Sequence, residues 1–312
     1  GRLEQAVGGS AKIDAVLDVL DPEIGYEGSL DAQSFDLQDL LDAVTEATVL
    51  TGKASFSGTG LAYPDGIDAT GEIKVTDSVG WGYPLPLVST GFSFKEGQIR
   101  ASDLVYEAWW GRVTGRGRIG ETDLDLDIVA KVWDASGLQD FGADGLKGAA
   151  TLPASLQADW SVSDHVTTDL NGTLIGEGLG YQDYGVIGSY EGPISVLVDA
   201  SGTQVFGPDA LLTGVDASGV LLGAAEGDWE AFVDRQGGVT FKADLDGAML
   251  RTWELHADSV SVVTEGQVSP EGVPQIYADL QLGQPGLERF SSDSGSAVVV
   301  LDADDVSMDL RC

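Results

Sequence analysis

The stretch GRGRIGETDLDLDIVAKV, residues 115–132, alternates apolar and polar side chains through its second half. Leu124, Leu126 and Ile128 occupy every second position, and aspartates lie between them. A period of two predicts a β-strand with one apolar face and one solvent-exposed face. A shift of one residue in the strand register would bring the aspartates to the apolar face, where unpaired carboxylates are strongly unfavourable. The aspartates therefore fix the register as firmly as the leucines do.

The first part of this stretch, residues 115–120, also matches the G-x-G-x-x-G pattern of dinucleotide-binding turns. That pattern holds a pyrophosphate only where a helix begins directly after it, because the helix N-terminus supplies the N–H groups. A strand follows here instead. We therefore predict a hairpin with Gly120 near its turn, and no nucleotide at this position.

Similar alternation recurs along the chain and predicts a predominantly β protein. Further apolar rows begin at Ala11, Tyr26, Ile67, Trp229, Val239 and Ile276. The segment FSFKEGQIRA, residues 92–101, predicts two strands joined by a turn at residues 95–97. Two short helix candidates interrupt the strands, FDLQDLLDAV at residues 35–44, with Asp36 as its N-cap, and DASGLQDFG at residues 134–142. The expected fold class is all-β with a few short helices.

The composition limits the partners of this protein. With 51 acidic and 16 basic residues, the net charge of -35 repels nucleic acid and anionic membrane surfaces, so we expect no nucleic-acid partner. No apolar run of 18 residues offers a transmembrane helix. The sequence begins GRLEQAVGGS, which contains no initiator methionine and does not have the pattern of a signal peptide. We expect a fragment of a longer chain, with its membrane anchor outside the fragment.

The sequence offers little catalytic chemistry. His165 and His256 have no histidine or cysteine near them in sequence, and Cys312 is the sole cysteine. No G-x-S-x-G nucleophile elbow occurs, and acidic residues are too frequent for any pair to stand out as an acid–base couple. We therefore predict a protein that is not an enzyme and that uses no cofactor or metal.

Degenerate repeats indicate how the chain is organised. Two LQD motifs begin at Leu37 and Leu138, and each is followed by a glycine-rich strand. A further sequence similarity relates residues 52–63 to residues 172–181. Such repeats bury their apolar faces by stacking on one another. The approximate units predicted are residues 1–135, 136–245 and 246–312.

Residues 24–180 resemble the AsmA-like family, to which the TamB proteins belong. The resemblance rests on YEGSLDAQSFDLQDLLDAV…LTGKASFSGTGL and on FKEGQIRASDLVYEAWWGRVTGRGRIGETDLDLDIVAKV. In family terms these are a strand with a short DLxxLL helix (residues 30–43), a glycine-rich strand (52–60) and a GxGxig…dLdl hairpin (96–132).

This resemblance implies an elongated, curved, mostly antiparallel sheet folded into an open apolar groove, often compared to a taco. It also implies a non-enzymatic protein of the periplasm or cell envelope of a diderm bacterium, anchored to a membrane through a segment outside the fragment. Such a protein conducts phospholipids between the inner and outer membranes and assists outer-membrane assembly. The implied partners are phospholipid acyl chains and an outer-membrane barrel protein.

The candidate groove lining consists of apolar residues from the alternating rows. These residues are Ile13, Leu17, Val19, Leu30, Ile67, Ile73, Val75, Leu124, Leu126, Ile128, Val132 and Leu280. A structural or adhesive β-solenoid of the cell surface is the alternative, because the same alternation can fill a closed core. The short helices and the repeat of roughly 100 residues favour the groove, since solenoid repeats are normally much shorter.

Overall fold

The computed structural model describes residues 2–4, 9–18, 24–36, 48–62, 66–80, 82–141, 144–161, 166–182, 185–217, 219–252, 255–270, 273–287, 290–302 and 305–311. The fold class predicted from the sequence is confirmed, because 84% of the structure is strand and 2% is helical. The chain divides into two compact units, Gly1–Val132 with Gly137–Asp144, and Trp133–Ser136 with Gly145–Cys312. We call them unit 1 and unit 2.

Unit 1 is an antiparallel meander in which each strand pairs with the next one along the chain. Its strands are β1 (Arg2–Glu4), β2 (Ser10–Asp18), β3 (Gly25–Asp36), β4 (Val49–Ala62), β5 (Gly66–Gly80), β6 (Tyr83–Lys95), β7 (Gln98–Ala108), β8 (Gly111–Ile119) and β9 (Asp123–Val132). Among the described residues, no pairing joins β1 to β9, so the sheet of this unit stays open.

Two turns of unit 1 follow the sequence-based expectation closely. The turn between β6 and β7 has φ of 51° at Glu96 and 75° at Gly97, as a two-residue hairpin turn with left-handed residues requires. Between β8 and β9, the Gly120 N–H donates to the Asp123 carbonyl oxygen at 2.7 Å. The GRGRIG stretch is therefore the end of a strand and a hairpin turn, which leaves no helix N-terminus for a nucleotide.

Unit 2 is also an antiparallel meander, interrupted once by a small hairpin. Its strands are β10 (Leu146–Asp159), β11 (Thr167–Tyr181), β12 (Gly185–Val198), β13 (Gly202–Ala217), β14 (Val220–Asp234), β15 (Val239–Arg251), β16 (Leu255–Val268), β17 (Pro274–Gly283), β18 (Gly286–Leu287), β19 (Phe290–Ser291), β20 (Ser294–Asp302) and β21 (Asp305–Arg311). Strand β17 pairs with β16 on one side and with β20 on the other. The short hairpin β18–β19 comes between β17 and β20 in the sequence, and its strand β18 pairs with the first residues of β16. Every pairing within the unit is antiparallel.

Several strands are longer than the sequence rows suggested, because bulges let a strand continue after its alternation is broken. Strand β13 runs for 16 residues, and its register with β14 shifts between Gly207 and Ala210, where Asp209 has φ of 47°. Strand β7 has a similar break between Ala101 and Leu104, where Asp103 has φ of 53°. A bulge adds one residue and reverses the side-chain parity beyond it.

One of the two helix candidates is confirmed. A 3-10 helix spans Ala135–Phe141, within the DASGLQDFG segment. Within unit 1, Gly137 of this helix lies against Trp110, because a Cβ atom at that position would overlap the Trp110 side chain. Trp110 is only 5% exposed. The other candidate, FDLQDLLDAV, lies outside the described residues except for its first two, which end β3.

Candidate functional site

The sheet of unit 1 has one face that is apolar across eight strands. In an antiparallel pair, residues directly opposite each other project to the same face, so the register defines continuous rows. One row is Leu17, Tyr26, Gly58, Ala69, Phe94, Ile99, Ile119 and Leu124. The next row is Ala15, Gly28, Phe56, Gly71, Phe92, Ala101, Gly117 and Leu126. Neither row contains a charged side chain. We call this surface the unit 1 apolar face.

Most of the residues predicted to line a groove share the unit 1 apolar face. By register and alternation these are Ile13, Leu17, Leu30, Ile67, Ile73, Val75, Leu124, Leu126, Ile128 and Val132. Leu280 belongs to unit 2, where it packs against a buried cluster. Val19 lies outside the described residues. The structure thus brings together in one surface residues that are more than 100 positions apart in sequence.

Aromatic rings on this face lie across glycines of neighbouring strands. A Cβ atom at Gly28 would lie 2.6 Å from Cζ of Phe56, and one at Gly71 would lie 2.7 Å from Cζ of Phe92. Tyr26 covers Gly58 in the same manner, and its hydroxyl donates to the Asp68 carbonyl oxygen at 3.3 Å. Glycines opposite aromatic residues let the rings lie flat on the sheet. The surface of these rows is therefore nearly flat, although the rows contain large side chains.

The exposure of the unit 1 apolar face changes from one strand to another. Leu17 and Ile13 on β2 are 63% and 40% exposed, and Ile73 on β5 is 37% exposed. Leu126 on β9 is only 8% exposed. Aliphatic side chains on β2 and β5 are thus open to solvent in the same face that is well covered on β9. An open patch of this kind is a candidate binding surface for an apolar ligand.

One face of the unit 2 sheet is covered by the buried side chains of that unit. One buried cluster consists of Leu250, Leu255, Ala257, Val260, Leu282 and Ala297, with Leu280 packed against it. A second cluster consists of Tyr190, Ala210, Leu212 and Ala225. In that cluster the Trp229 indole N–H donates to the Tyr190 hydroxyl at 3.1 Å, and burial raises the pKa of Tyr190 above its ordinary value. These clusters form the core of unit 2.

The opposite face of the unit 1 sheet is polar and carries every lysine and arginine of β2–β9. Two clefts, of about 1360 and 1040 Å³, lie in this unit and are lined mainly by polar side chains such as Glu27, Glu72 and Lys95. The ion pairs here are exposed, as in Lys53–Asp31 at 3.4 Å and Lys95–Asp68 at 3.5 Å. Such pairs contribute little to stability. Sequence reasoning did not find these clefts, because their lining comes together only through the pairing of six strands, β2 to β7.

The described residues hold no group of three or more histidine, cysteine, aspartate or glutamate side chains suited to a metal ion. His256 is exposed on β16, and His165 lies outside the described part of the chain. No helix within the described ranges is long and apolar enough to cross a membrane. No protein-family model, curated protein or solved structure matches this chain.

Proposed function

We propose that this protein is a non-enzymatic lipid-conducting protein, which carries phospholipid acyl chains along the unit 1 apolar face. The observation that supports the proposal most is the pair of apolar rows that cross eight strands, together with the solvent-exposed Leu17, Ile13 and Ile73 on the same face. Neighbouring strands lie about 4.8 Å apart, so each row extends for about 34 Å. One leaflet of a bilayer has a hydrocarbon depth of about 15 Å, half of a core of about 30 Å. The rows are long enough for an acyl chain.

The energetics also favour acyl chains as the ligand. Each methylene buried from water contributes about 0.8 kcal/mol, so ten of them supply about 8 kcal/mol before the cost of ordering the chain. The charge of the protein, -35, disfavours anionic headgroups within a Debye length of about 8 Å. Acyl chains on an uncharged face experience this field much less than headgroups do. We therefore expect zwitterionic phospholipids to be preferred over anionic ones.

The placement of this function in a diderm envelope, between the inner and outer membranes, follows from the resemblance to AsmA-like proteins and is part of the proposal. An outer-membrane barrel protein is the proposed partner on the same ground. The alternative, a structural or adhesive β-solenoid, has less support. Solenoid repeats stack as parallel coils, whereas all strand pairings described within each unit are antiparallel.

The direct test is organic extraction of the purified chain followed by mass spectrometry for bound lipid. We expect co-purified phospholipid, and transfer of a fluorescent phosphatidylcholine from donor to acceptor vesicles at a rate that rises with protein concentration. An unrelated acidic β-protein of similar size is the control for non-specific adsorption. Absence of bound lipid together with a transfer rate equal to that control would contradict the proposal.

A further inference from the structure

A cleft of about 680 Å³ lies in unit 2, on the sheet face opposite the buried clusters. Two cross-strand rows pass through it. One row consists of Gln204, Phe232, Thr240, Gln267, Gln275 and Asp302. The adjacent row consists of Phe206, Glu230, Lys242, Glu265, Tyr277 and Val300. We call this surface the glutamine cleft. These rows differ from the unit 1 apolar face in that nine of their twelve side chains can form a hydrogen bond.

The amide groups of the glutamine cleft are linked to one another. The Gln267 Nε2 donates to Gln275 Oε1 at 2.6 Å, and the Gln275 Nε2 donates to Asp302 Oδ1 at 3.2 Å. Each of these amide nitrogens retains a second N–H for a ligand. Three of the 13 glutamines of the chain lie in this one row. The chain of contacts holds the amides in place, so binding a ligand there would require little further ordering.

Aromatic rings are exposed beside these amides. Tyr277 is 42% exposed and Phe206 is 39% exposed, although both are large and partly apolar. Glu230, Lys242 and Glu265 lie between them on three consecutive strands. The surface therefore offers flat apolar rings, carboxylates that accept hydrogen bonds and an ammonium that donates them, all on one face.

This combination matches the chemistry of a saccharide. A pyranose ring has C–H groups on its flat faces, which pack on aromatic rings, and hydroxyl groups at its edge, which need both donors and acceptors. Ligand sites generally combine apolar or aromatic walls with a few fixed polar groups. Three carboxylates, Glu230, Glu265 and Asp302, oppose the one ammonium of Lys242 in the cleft, and this imbalance disfavours an anionic ligand. With strands about 4.8 Å apart, six strands extend for about 24 Å, which suits an oligosaccharide better than a single sugar.

We infer that the glutamine cleft binds a neutral oligosaccharide. The inference is independent of lipid conduction, because it rests on unit 2 alone and on the polar face of its sheet. Tyr277 supplies the stacking surface, while Gln267 and Gln275 bind the hydroxyl or acetamido groups. Glu230, Lys242 and Glu265 bind the edge of the adjacent sugar.

The experiment is calorimetric titration of the purified chain with three probes. Two are neutral hexasaccharides, one of β-1,4-linked N-acetylglucosamine and one of β-1,4-linked glucose, and the third is an anionic hyaluronan hexasaccharide. We expect at least one neutral probe to bind, and to bind at least ten-fold more tightly than hyaluronan. Failure of both neutral probes at millimolar concentration, or tighter binding of hyaluronan, would overturn the inference.

Variants locate the site. We expect Tyr277→Ala and Gln267→Ala each to weaken binding of the neutral probe at least five-fold, and Tyr277→Trp to retain it. Gln267 is exposed, so its truncation leaves the fold intact even if Tyr277→Ala does not. The matched control is Tyr181→Ala, which removes a tyrosine of similar exposure, 49%, outside the cleft. Equal affinity of Gln267→Ala and the wild type would show that the sugar does not bind at the glutamine cleft.

Discussion

Gly117 on β8 lies directly opposite Leu126 on β9, and a Cβ atom at Gly117 would lie 2.9 Å from Cδ2 of Leu126. Gly115 lies opposite Ile128 in the same way, and a Cβ atom at Gly115 would lie 3.1 Å from Cγ2 of Ile128. The glycines of the GRGRIG stretch thus make room for the aliphatic side chains of the next strand. This packing explains why a glycine pattern familiar from nucleotide-binding turns occurs in a β-hairpin.

The first prediction concerns Gly117. Valine is normally favoured in strands, but Gly117→Val should lower the free energy of unfolding by about 1–3 kcal/mol, the range for overpacking. The added Cβ would overlap Leu126 and the Asp125 carbonyl group. Urea denaturation measures the change. Gly25→Val is the control, because a Cβ there would contact only Asp18 Cβ at 3.7 Å. A stabilised Gly117→Val protein, or micromolar binding of a dinucleotide that this change abolishes, would contradict our description of the hairpin.

The second prediction concerns burial within the unit 1 apolar face. Leu126→Ala should lower the free energy of unfolding by about 2–5 kcal/mol, because Leu126 is 8% exposed and its removal leaves a cavity. Leu17→Ala, which truncates the same residue type at 63% exposure, should change the stability by less than about 0.5 kcal/mol. Urea midpoints of the two variants measure the difference. Equal losses would mean that the face is covered uniformly, so that no part of it is open to a ligand.

Alternation in the sequence was sufficient to assign residues to faces, and Leu17 and Leu126 were both assigned to the apolar one. The difference in their exposure was not predictable, because it depends on which neighbouring strands and turns cover each end of the sheet. For the same reason, the glutamine cleft could not be foreseen. Gln204 and Gln275 are far apart in sequence and fall in one row only through the pairing of five consecutive strands.

The alternation of the sequence underestimates the length of strands that contain a bulge. Asp209 and Asp103 take up left-handed backbone conformations inside strands, and the side chains beyond them change face. A pattern search that requires strict alternation ends a strand at such a residue. Aspartate tolerates this conformation better than most residues, so an aspartate that breaks an alternating row is a usable signal for a bulge.

The third prediction uses the buried hydroxyl of Tyr190. Burial raises the pKa of Tyr190 in the folded state, so folding favours its neutral form. The corresponding stability is fully present below the unfolded pKa of about 10 and is lost as the pH rises through the folded value. We expect the urea midpoint of the wild type to fall more steeply above about pH 10 than that of Tyr190→Phe.

At neutral pH, Tyr190→Phe should be less stable than the wild type. The substitution leaves the Trp229 N–H without its acceptor, which lowers the free energy of unfolding by about 1–3 kcal/mol. Tyr181→Phe serves as the control, since Tyr181 is 49% exposed. Parallel pH profiles for the wild type and Tyr190→Phe would show that Tyr190 ionises equally well in the folded and unfolded chain.

The last prediction tests lipid conduction with two neighbouring residues of β2. Val16 and Leu17 are 61% and 63% exposed, but they project to opposite faces of the sheet. Both can accept an arginine with little change in stability, because the new charge stays in water. Leu17→Arg places that charge on the unit 1 apolar face and should reduce bound phospholipid and vesicle transfer several-fold. Val16→Arg adds the same charge to the polar face and should leave both at the wild-type level. Equal lipid content in the two variants, with urea midpoints matching the wild type, would exclude the unit 1 apolar face as the path of the acyl chains.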